Sequence, residues 1–236
     1  MINGSPDRNG SKVLVVAAHP DDEILGCGGT IARLALEGRE VHILICGEGI
    51  SSRYERREEA PAAELDALRA RARQASEIVH AKSVEVLEFP DNRFDTVPLL
   101  EIVKAIEARI HQWAPRVLYV QHGGDLNIDH VQLFRAALTA TRPTQGNSVK
   151  EVYAFEVASS TEWSFQRFSP VFRPSCFVDI STTMDAKIAA MECYESEVQM
   201  SPHPRAADSL RAQARRWGSV IGCEYAEPFE QIRAIV

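Results

Sequence analysis

Four short apolar runs, each followed by a stretch with helical spacing, constrain most strongly what this chain of 236 residues can fold into. Residues 13–18 read Val-Leu-Val-Val-Ala-Ala, apolar throughout and without the polar alternation of a half-buried strand. Such a run is buried on both faces, as the central strands of a parallel sheet are. Residues 30–37 then place Ile31, Leu34 and Ala35 on one helical face, with Gly38 positioned to end the helix. A second buried strand over 41–46 completes a β-α-β unit with a right-handed crossover. The alternation continues with a charged helix over 58–80, a strand over 84–89 that stops at Pro90, and a helix over 97–113 carrying Leu100, Val103, Ile106 and Ile110. A strand over 116–121 and a helix over 129–139 follow. The pattern predicts an α/β fold: a Rossmann-like doubly wound, mainly parallel sheet flanked by helices.

Beyond residue 141 the pattern loosens to strands over 152–157 and 176–180 and helices over 183–199 and 205–218, read as a C-terminal extension packed on the sheet. No repeat and no Pro-rich or Gly/Ser-rich linker separates domains, and 45% hydrophobic residues suffice for one core. Residues 12–236 are expected to form a single domain, and the polar stretch 1–11 to be disordered or flexible. The formal charge of −7 and the lack of any dense Lys/Arg stretch argue against nucleic acid as a partner. No apolar run approaches the roughly 20 residues of a membrane span, and the N-terminus does not read as a signal peptide. Five scattered cysteines without a C-x-x-C pair fit neither a disulfide framework nor a cysteine zinc knuckle, and point to a reducing cytoplasm.

In an open α/β sheet the ligand site lies beyond the carboxyl ends of the strands. There this chain is polar: His19-Pro20-Asp21-Asp22-Glu23 follows the first strand, and His122-Gly123-Gly124-Asp125-Leu126-Asn127-Ile128-Asp129-His130 follows the fourth. Two imidazoles and one carboxylate with an open position make a common catalytic zinc arrangement. His19 and Asp22 can ligate from one side and His130 from the other, which leaves Asp21 as a base for a metal-activated water. The bland alternatives are an acidic turn capping the following helix, Asp125 or Asp129 as helix caps, and His122 as a strand-end residue bonded to backbone. His42, His80 and His111 read as structural or surface residues, and Arg69, Arg71 and Arg73 as a solvated helix face. A competing reading is a nucleotide-binding oxidoreductase. Gly26-Cys27-Gly28-Gly29-Thr30-Ile31 nearly matches G-x-G-x-x-G, with Glu48 near the position of a ribose-binding acid, but Ile31 stands where the third glycine belongs and three carboxylates would repel a pyrophosphate. The glycines read better as sites of close helix packing.

The segment Ala18-His19-Pro20-Asp21-Asp22-Glu23, with Asp129-His130 downstream, resembles the zinc-dependent N-acetylglucosaminyl deacetylases of the LmbE-like, or PIG-L, family. Supporting segments are Phe89-Pro90-Asp91-Asn92, Ser160-Thr161-Glu162-Trp163, Pro202-His203-Pro204-Arg205 and Glu224-Tyr225-Ala226-Glu227-Pro228-Phe229, which look most like the bacterial and archaeal branch acting on small amino sugars of the diacetylchitobiose type. The resemblance implies His19, Asp22 and His130 as zinc ligands and Asp21 as general base. The implied reaction is hydrolysis of the N-acetyl group of a small N-acetylglucosamine-type molecule, releasing acetate and an amino sugar. Iron, cobalt or manganese can occupy the same ligand set. Asn127 stands where another branch of the family has a histidine, so His203 becomes the candidate oxyanion donor or general acid, reaching a neighbouring subunit's site in a homo-oligomer. Arg53, Asp91, Asn92 and Asn127 are the expected substrate contacts, and Trp163 either stacks on a sugar ring or belongs to the core. A protein that binds zinc and sugar without turnover is the remaining alternative.

Overall fold

A computed structural model of the chain describes residues 11–236, so the flexible segment expected at 1–11 lies, apart from Ser11, outside the described residues. Seven strands build one sheet: β1 (Val13–Ala17), β2 (Val41–Gly47), β3 (Ser83–Phe89), β4 (Val117–Gln121), β5 (Glu151–Phe155), β6 (Cys176–Asp179) and β7 (Ala226–Ala234). Their order is β3-β2-β1-β4-β5-β7-β6. The first five run parallel, and β7 lies antiparallel between β5 and β6. The mainly parallel α/β sheet is therefore as expected. Helices α1 (Asp22–Leu36), α2 (Ala62–Ile78), α5 (Met184–Glu192) and α6 (Ala207–Ile221) cover one face, and α3 (Leu99–Trp113) and α4 (Ile128–Ala140) the other. Alternate residues of β1 enter opposite cores: Val13 and Val15 pack with Ile31 and Leu68, Leu14 and Val16 with Ile106 and Leu133. That two-sided burial is why the strand shows no polar alternation. Among the described residues no helix is long and apolar enough to cross a membrane.

Three elements depart from the expectation. Helix α1 starts at Asp22, not near Thr30, so the acidic residues are its first turn, where carboxylates oppose the positive end of the helix dipole. Its glycines lie inside the helix at close approaches: a Cβ on Gly26 would stand 2.1 Å from Phe155 Cδ2, and one on Gly29 2.7 Å from Ile180 Cδ1. Helix α5 stops at Glu192, after which the chain turns and brings Tyr194 into the core, with its hydroxyl donating to Glu23 Oε1 at 2.5 Å. Strand β7 was not expected at all, because Pro228 and interspersed charges mask it; Pro228 lies opposite Phe177 on β6.

Strand β7 also pins α1. Its buried Glu227 accepts from the backbone N–H groups of Gly29 at 3.0 Å and Thr30 at 2.7 Å, in the middle of the helix. The Lys187 ammonium of α5 completes the insertion, donating to Glu227 Oε1 at 2.6 Å and to the Leu25 carbonyl at 2.7 Å. At the far end of β5, Glu156 Oε1 accepts from Trp217 Nε1 at 2.7 Å and Gln213 Nε2 at 2.9 Å, which clamps α6.

Two stability tests follow from this packing. Alanine normally gains about 1 kcal/mol over glycine in a helix, but Gly26→Ala is expected to lose about 1–3 kcal/mol because the new methyl meets the buried Phe155 ring; denaturant unfolding gives the sign directly. Burial pushes the Glu156 carboxyl up from 4.5 to about 7. The native state then holds a proton that the unfolded chain has released, so this group's contribution to stability falls as pH rises from about 4.5 through about 7. Glu156→Gln keeps an acceptor for Trp217 and removes the titration, so unfolding free energies across that window should decline less steeply than in the wild type.

Candidate metal centre

Strands β1 and β4 are neighbours, so their carboxyl ends carry the two polar segments to one rim. His19 follows β1, and the chain turns through Asp21 with φ of 120°, a conformation costly for a side chain other than glycine. The Asp21 N–H donates to Glu23 Oε2 at 3.0 Å, and its carbonyl accepts from Ile24 and Leu25, which hold the turn. On the facing side Asn127 caps α4, its Oδ1 accepting from the Asp129 N–H at 2.8 Å, so the cap is neither Asp125 nor Asp129. His130 comes into the first turn of α4 as a consequence.

His19, Asp22 and His130 each offer one donor atom, and these lie within 4.8 Å of one another. Asp22 Oδ2 is 3.3 Å from His19 Nδ1 and 3.2 Å from His130 Nε2. Both ring nitrogens of His130 are buried and make no hydrogen bond, although Asp125 Oδ2 stands 3.1 Å from Nδ1. A buried imidazole with carboxylates beside it and no aligned partner fits a ligand whose cation completes the set. The charges agree. Burial opposes the imidazolium forms, but Asp22 and Asp125 push His130 up to about 9, and hydrogen bonds donated to the Asp129 and Asp22 carboxylates raise His19 well above its ordinary value. Burial likewise works against an ionised Asp22, and the two histidines overcome it and hold this carboxyl well below the usual range. The cluster gathers positive charge where a divalent ion would supply it.

The residues behind the ligands are ordered in the same way. His19 Nε2 meets Asp129 Oδ2 at 2.9 Å, and Asp129 Oδ1 accepts from the Phe94 N–H at 2.8 Å. Asp91 Oδ1 lies 3.3 Å from the same His19 nitrogen, so His19, Asp91 and Asp129 form a second cluster of potential ligands that shares the imidazole. Asp125 is held by the hydroxyls of Ser160 and Thr161. Gln121 Nε2 donates to Asp22 Oδ2 at 2.9 Å.

A cavity of about 600 Å³ opens over this set and is lined by His19, Asp21, Arg53, Asp91, Asn92, Asn127 and His130. All four expected substrate contacts thus face one space. Asp91 Oδ2 accepts from Ser52 Oγ at 2.5 Å, and Asn127 Nδ2 donates to Asn92 Oδ1 at 3.1 Å. Trp163 lines the cavity and is 41% exposed, so it is not core. Arg205 and Glu197 line it too. Arg205 Nη1 donates to Asp21 Oδ2 at 2.7 Å, and Glu197 accepts from both Arg53 and Arg205. Burial raises the Asp21 carboxyl well above its ordinary value, against the pull of Arg205 and with the help of Asp22 and Glu197. Sequence reasoning quoted Arg205 within Pro-His-Pro-Arg but gave it no role; the contact joins residues 184 positions apart and has no local signal.

His203 packs edge-on against Trp163 with ring centroids 5.3 Å apart, and its Nδ1 accepts from the Arg205 N–H at 3.1 Å. The other histidines lie elsewhere: His122 Nε2 contacts the Pro170 carbonyl at 2.8 Å, and His42 stacks on Trp113. Arg69 pairs with Asp66 and Glu88 outside the cavity. The dinucleotide reading loses both its supports, since the glycine segment is mid-helix and Glu48 is engaged by Arg57 through two bonds of 2.9 Å.

The chain is 27% identical over 237 residues to the diacetylchitobiose deacetylase of Thermococcus kodakarensis, covering 94% of this chain and 83% of that protein. The solved structure of N,N'-diacetylchitobiose deacetylase from Pyrococcus horikoshii matches with a TM-score of 0.76 at 20% identity, over 96% of this chain and 85% of that one. The 4-carboxy-2-hydroxymuconate hydratase of Pseudomonas putida has the same fold, with a TM-score of 0.74 at 24% identity over 96% and 98% of the two chains. Residues 14–141, more than half of the chain and including both polar segments of the rim, match the family model described as PIG-L, GlcNAc-PI de-N-acetylase. The chain belongs to the PIG-L family.

Proposed function

We propose that the protein, acting through residues 12–236 as one LmbE-like domain, is a zinc-dependent amidohydrolase that removes the N-acetyl group from a small N-acetylglucosamine-type molecule. It releases acetate and a free amino sugar. The observation that carries this reading is the set of His19, Asp22 and His130 with the carboxylate of Asp21 beside it and not among its donors. The likeness to the diacetylchitobiose deacetylase of Thermococcus kodakarensis supports the substrate class. Five free cysteines support a reducing cytoplasm as its place of action.

When bound, zinc supplies Lewis-acid chemistry, polarising a carbonyl and making water more acidic, and iron, cobalt or manganese could do the same in this ligand set. Asp129 Oδ2 meets His19 Nε2 and Asp125 Oδ2 stands beside His130 Nδ1, so His19 Nδ1 and His130 Nε2 would be the atoms that hold the ion. Asp21 is the general base. Arg205 holds its Oδ2, which leaves Oδ1 to take a proton from the attacking water. That proton passes to the amide nitrogen as the C–N bond breaks and the amine departs. Asp91, Asn92, Asn127 and Arg53 meet the sugar hydroxyls. His203, with Nδ1 engaged as an acceptor, carries its proton on Nε2 and is the donor candidate, in its own site or in that of a neighbouring subunit of a homo-oligomer.

Acetate release from N-acetylglucosamine and diacetylchitobiose by metal-stripped and zinc-restored protein tests the reaction; equal release from both preparations, or none from either, overturns it. A paired substitution separates base from ligand support. Asp21→Asn is expected to lower kcat by about 10²–10⁴-fold with zinc content unchanged. Asp129→Asn is expected to weaken zinc binding by about 10–100-fold, measured by competition with a chromophoric chelator.

A further inference from the structure

A second cavity, of about 350 Å³, adjoins the turn that follows β5. The turn is shared between two spaces: Ser159, Ser160 and Trp163 line the metal cavity, whereas Thr161, Glu162, Ser164 and Phe165 line the second one. Glu156 and Glu162 border that second cavity together with Phe165, Phe172 and Trp217, and no Lys, Arg or His is among its described lining residues. Glu156 Oε1 is taken by Trp217 and Gln213, which leaves Oε2 unbonded among the described residues and not sealed from solvent. The hydroxyls of the lining are occupied: Thr161 Oγ1 donates to Asp125 Oδ2 at 2.9 Å, and Ser164 Oγ to the Thr161 carbonyl at 2.7 Å. Phe165 is 75% exposed, and it and Gln166 both stand in the left-handed region, with φ of 49° and 56°. Two consecutive strained residues that keep a phenyl ring in the open mark a binding feature, since core packing asks for neither.

Aromatic rings and carboxyl groups gathered without a basic side chain select positive charge: ring faces attract a cation through their quadrupoles, and an unpaired carboxylate adds a full negative charge. The cations nearby are committed elsewhere. Arg216 stands over the Trp217 ring, 5.2 Å from its centroid, without lining the cavity, and Lys187 is bonded to Glu227 and the Leu25 carbonyl. With the hydroxyls already engaged, few acceptors remain for N–H donors, which favours an alkylated ammonium over a primary one. We infer that this cavity is a binding site for a small organic cation of the quaternary-ammonium type, recognised by the rings of Phe165, Phe172 and Trp217 and by the carboxylate of Glu156. Its volume of about 350 Å³ suits a small ligand. Burial and the neighbouring Glu162 push Glu156 up to about 7, and a bound cation would favour its ionised form.

Calorimetric titration of the zinc-loaded protein with choline, beside its neutral carbon isostere 3,3-dimethylbutanol, tests the site. A quaternary nitrogen has no proton to lose and no lone pair for zinc, so binding here depends on neither the metal nor the deacetylase reading. Choline is expected to bind about tenfold tighter than the alcohol. Its affinity should rise with pH through about 7 as Glu156 ionises, with Glu162 on the turn, Lys187 on α5, and Trp217 and Gln213 on α6 as the groups that face this carboxyl. Glu156→Gln should bring choline down to the alcohol's affinity and flatten the pH dependence. Phe165→Ala, at an exposed ring whose loss the fold tolerates, should weaken choline about threefold or more. Equal binding of the two compounds, absent binding of choline, or choline binding that both variants leave unchanged overturns the site; the last outcome places the cation elsewhere, the acidic metal rim included. If Glu156→Gln does not fold, Phe165→Ala and the pH dependence decide.

Discussion

A buried carboxylate costs several kcal/mol unless it is paired and hydrogen-bonded, and this chain buries Asp21, Asp22, Asp91, Asp125 and Asp129 at one rim of its sheet. The loops around the site are shaped by meeting that demand. Asp22 draws in the His19 N–H and Gln121, Asp129 the N–H of Phe94, Asp91 the Ser52 turn, and Asp125 the hydroxyls of Ser160 and Thr161. Each carboxylate thereby ties a loop from a different strand end to the two histidines.

The scaffold beneath obeys a similar constraint. Helix α1 presents Asp22 in its first turn, so its position sets the site, and the Lys187–Glu227 pair inserted at Leu25, Gly29 and Thr30 locks it to α5 and β7. Removing one partner of such a buried pair is far more damaging than replacing both, because the survivor is left uncompensated. The glycines of α1 let the helix approach β5 and the residue after β6 closely enough for this lock to form. The C-terminal third thus holds α1 against the sheet.

The parallel core was legible because burial on both faces writes itself as unbroken apolar runs such as 13–18 and 41–46. The clustering of His19, Asp22 and His130 was legible because His19 and Asp22 are close in sequence and His130 stands in an equally polar segment at a neighbouring strand end. What could not be read depends on distant partners. Strand β7 hides behind Pro228, whose missing N–H is tolerated opposite Phe177. The start of α1 was misplaced because glycines required for packing against Phe155 and Ile180 look like a loop. Arg205 and Glu197 lie far along the chain from Asp21 and Arg53, and nothing in their local sequence says that they close over the cavity.

The fold alone does not select a reaction, since the same architecture occurs in a hydratase. The placement of the two adjacent carboxylates at the rim rests on one short turn. Holding Asp21 at φ of 120° stores strain of about 1–3 kcal/mol, and the chain retains it although Asp22, the next residue, has an ordinary helical backbone. An unstrained residue 21 would continue into the helix and carry its carboxylate away from the cavity. The turn instead faces two adjacent aspartates in different directions, Asp22 toward the histidines and Asp21 toward Arg205 and the open space. Turning two consecutive carboxylates toward different partners is what this strain accomplishes, and the turn is secured from three sides, by Glu23, by Arg205 and by the first turn of α1.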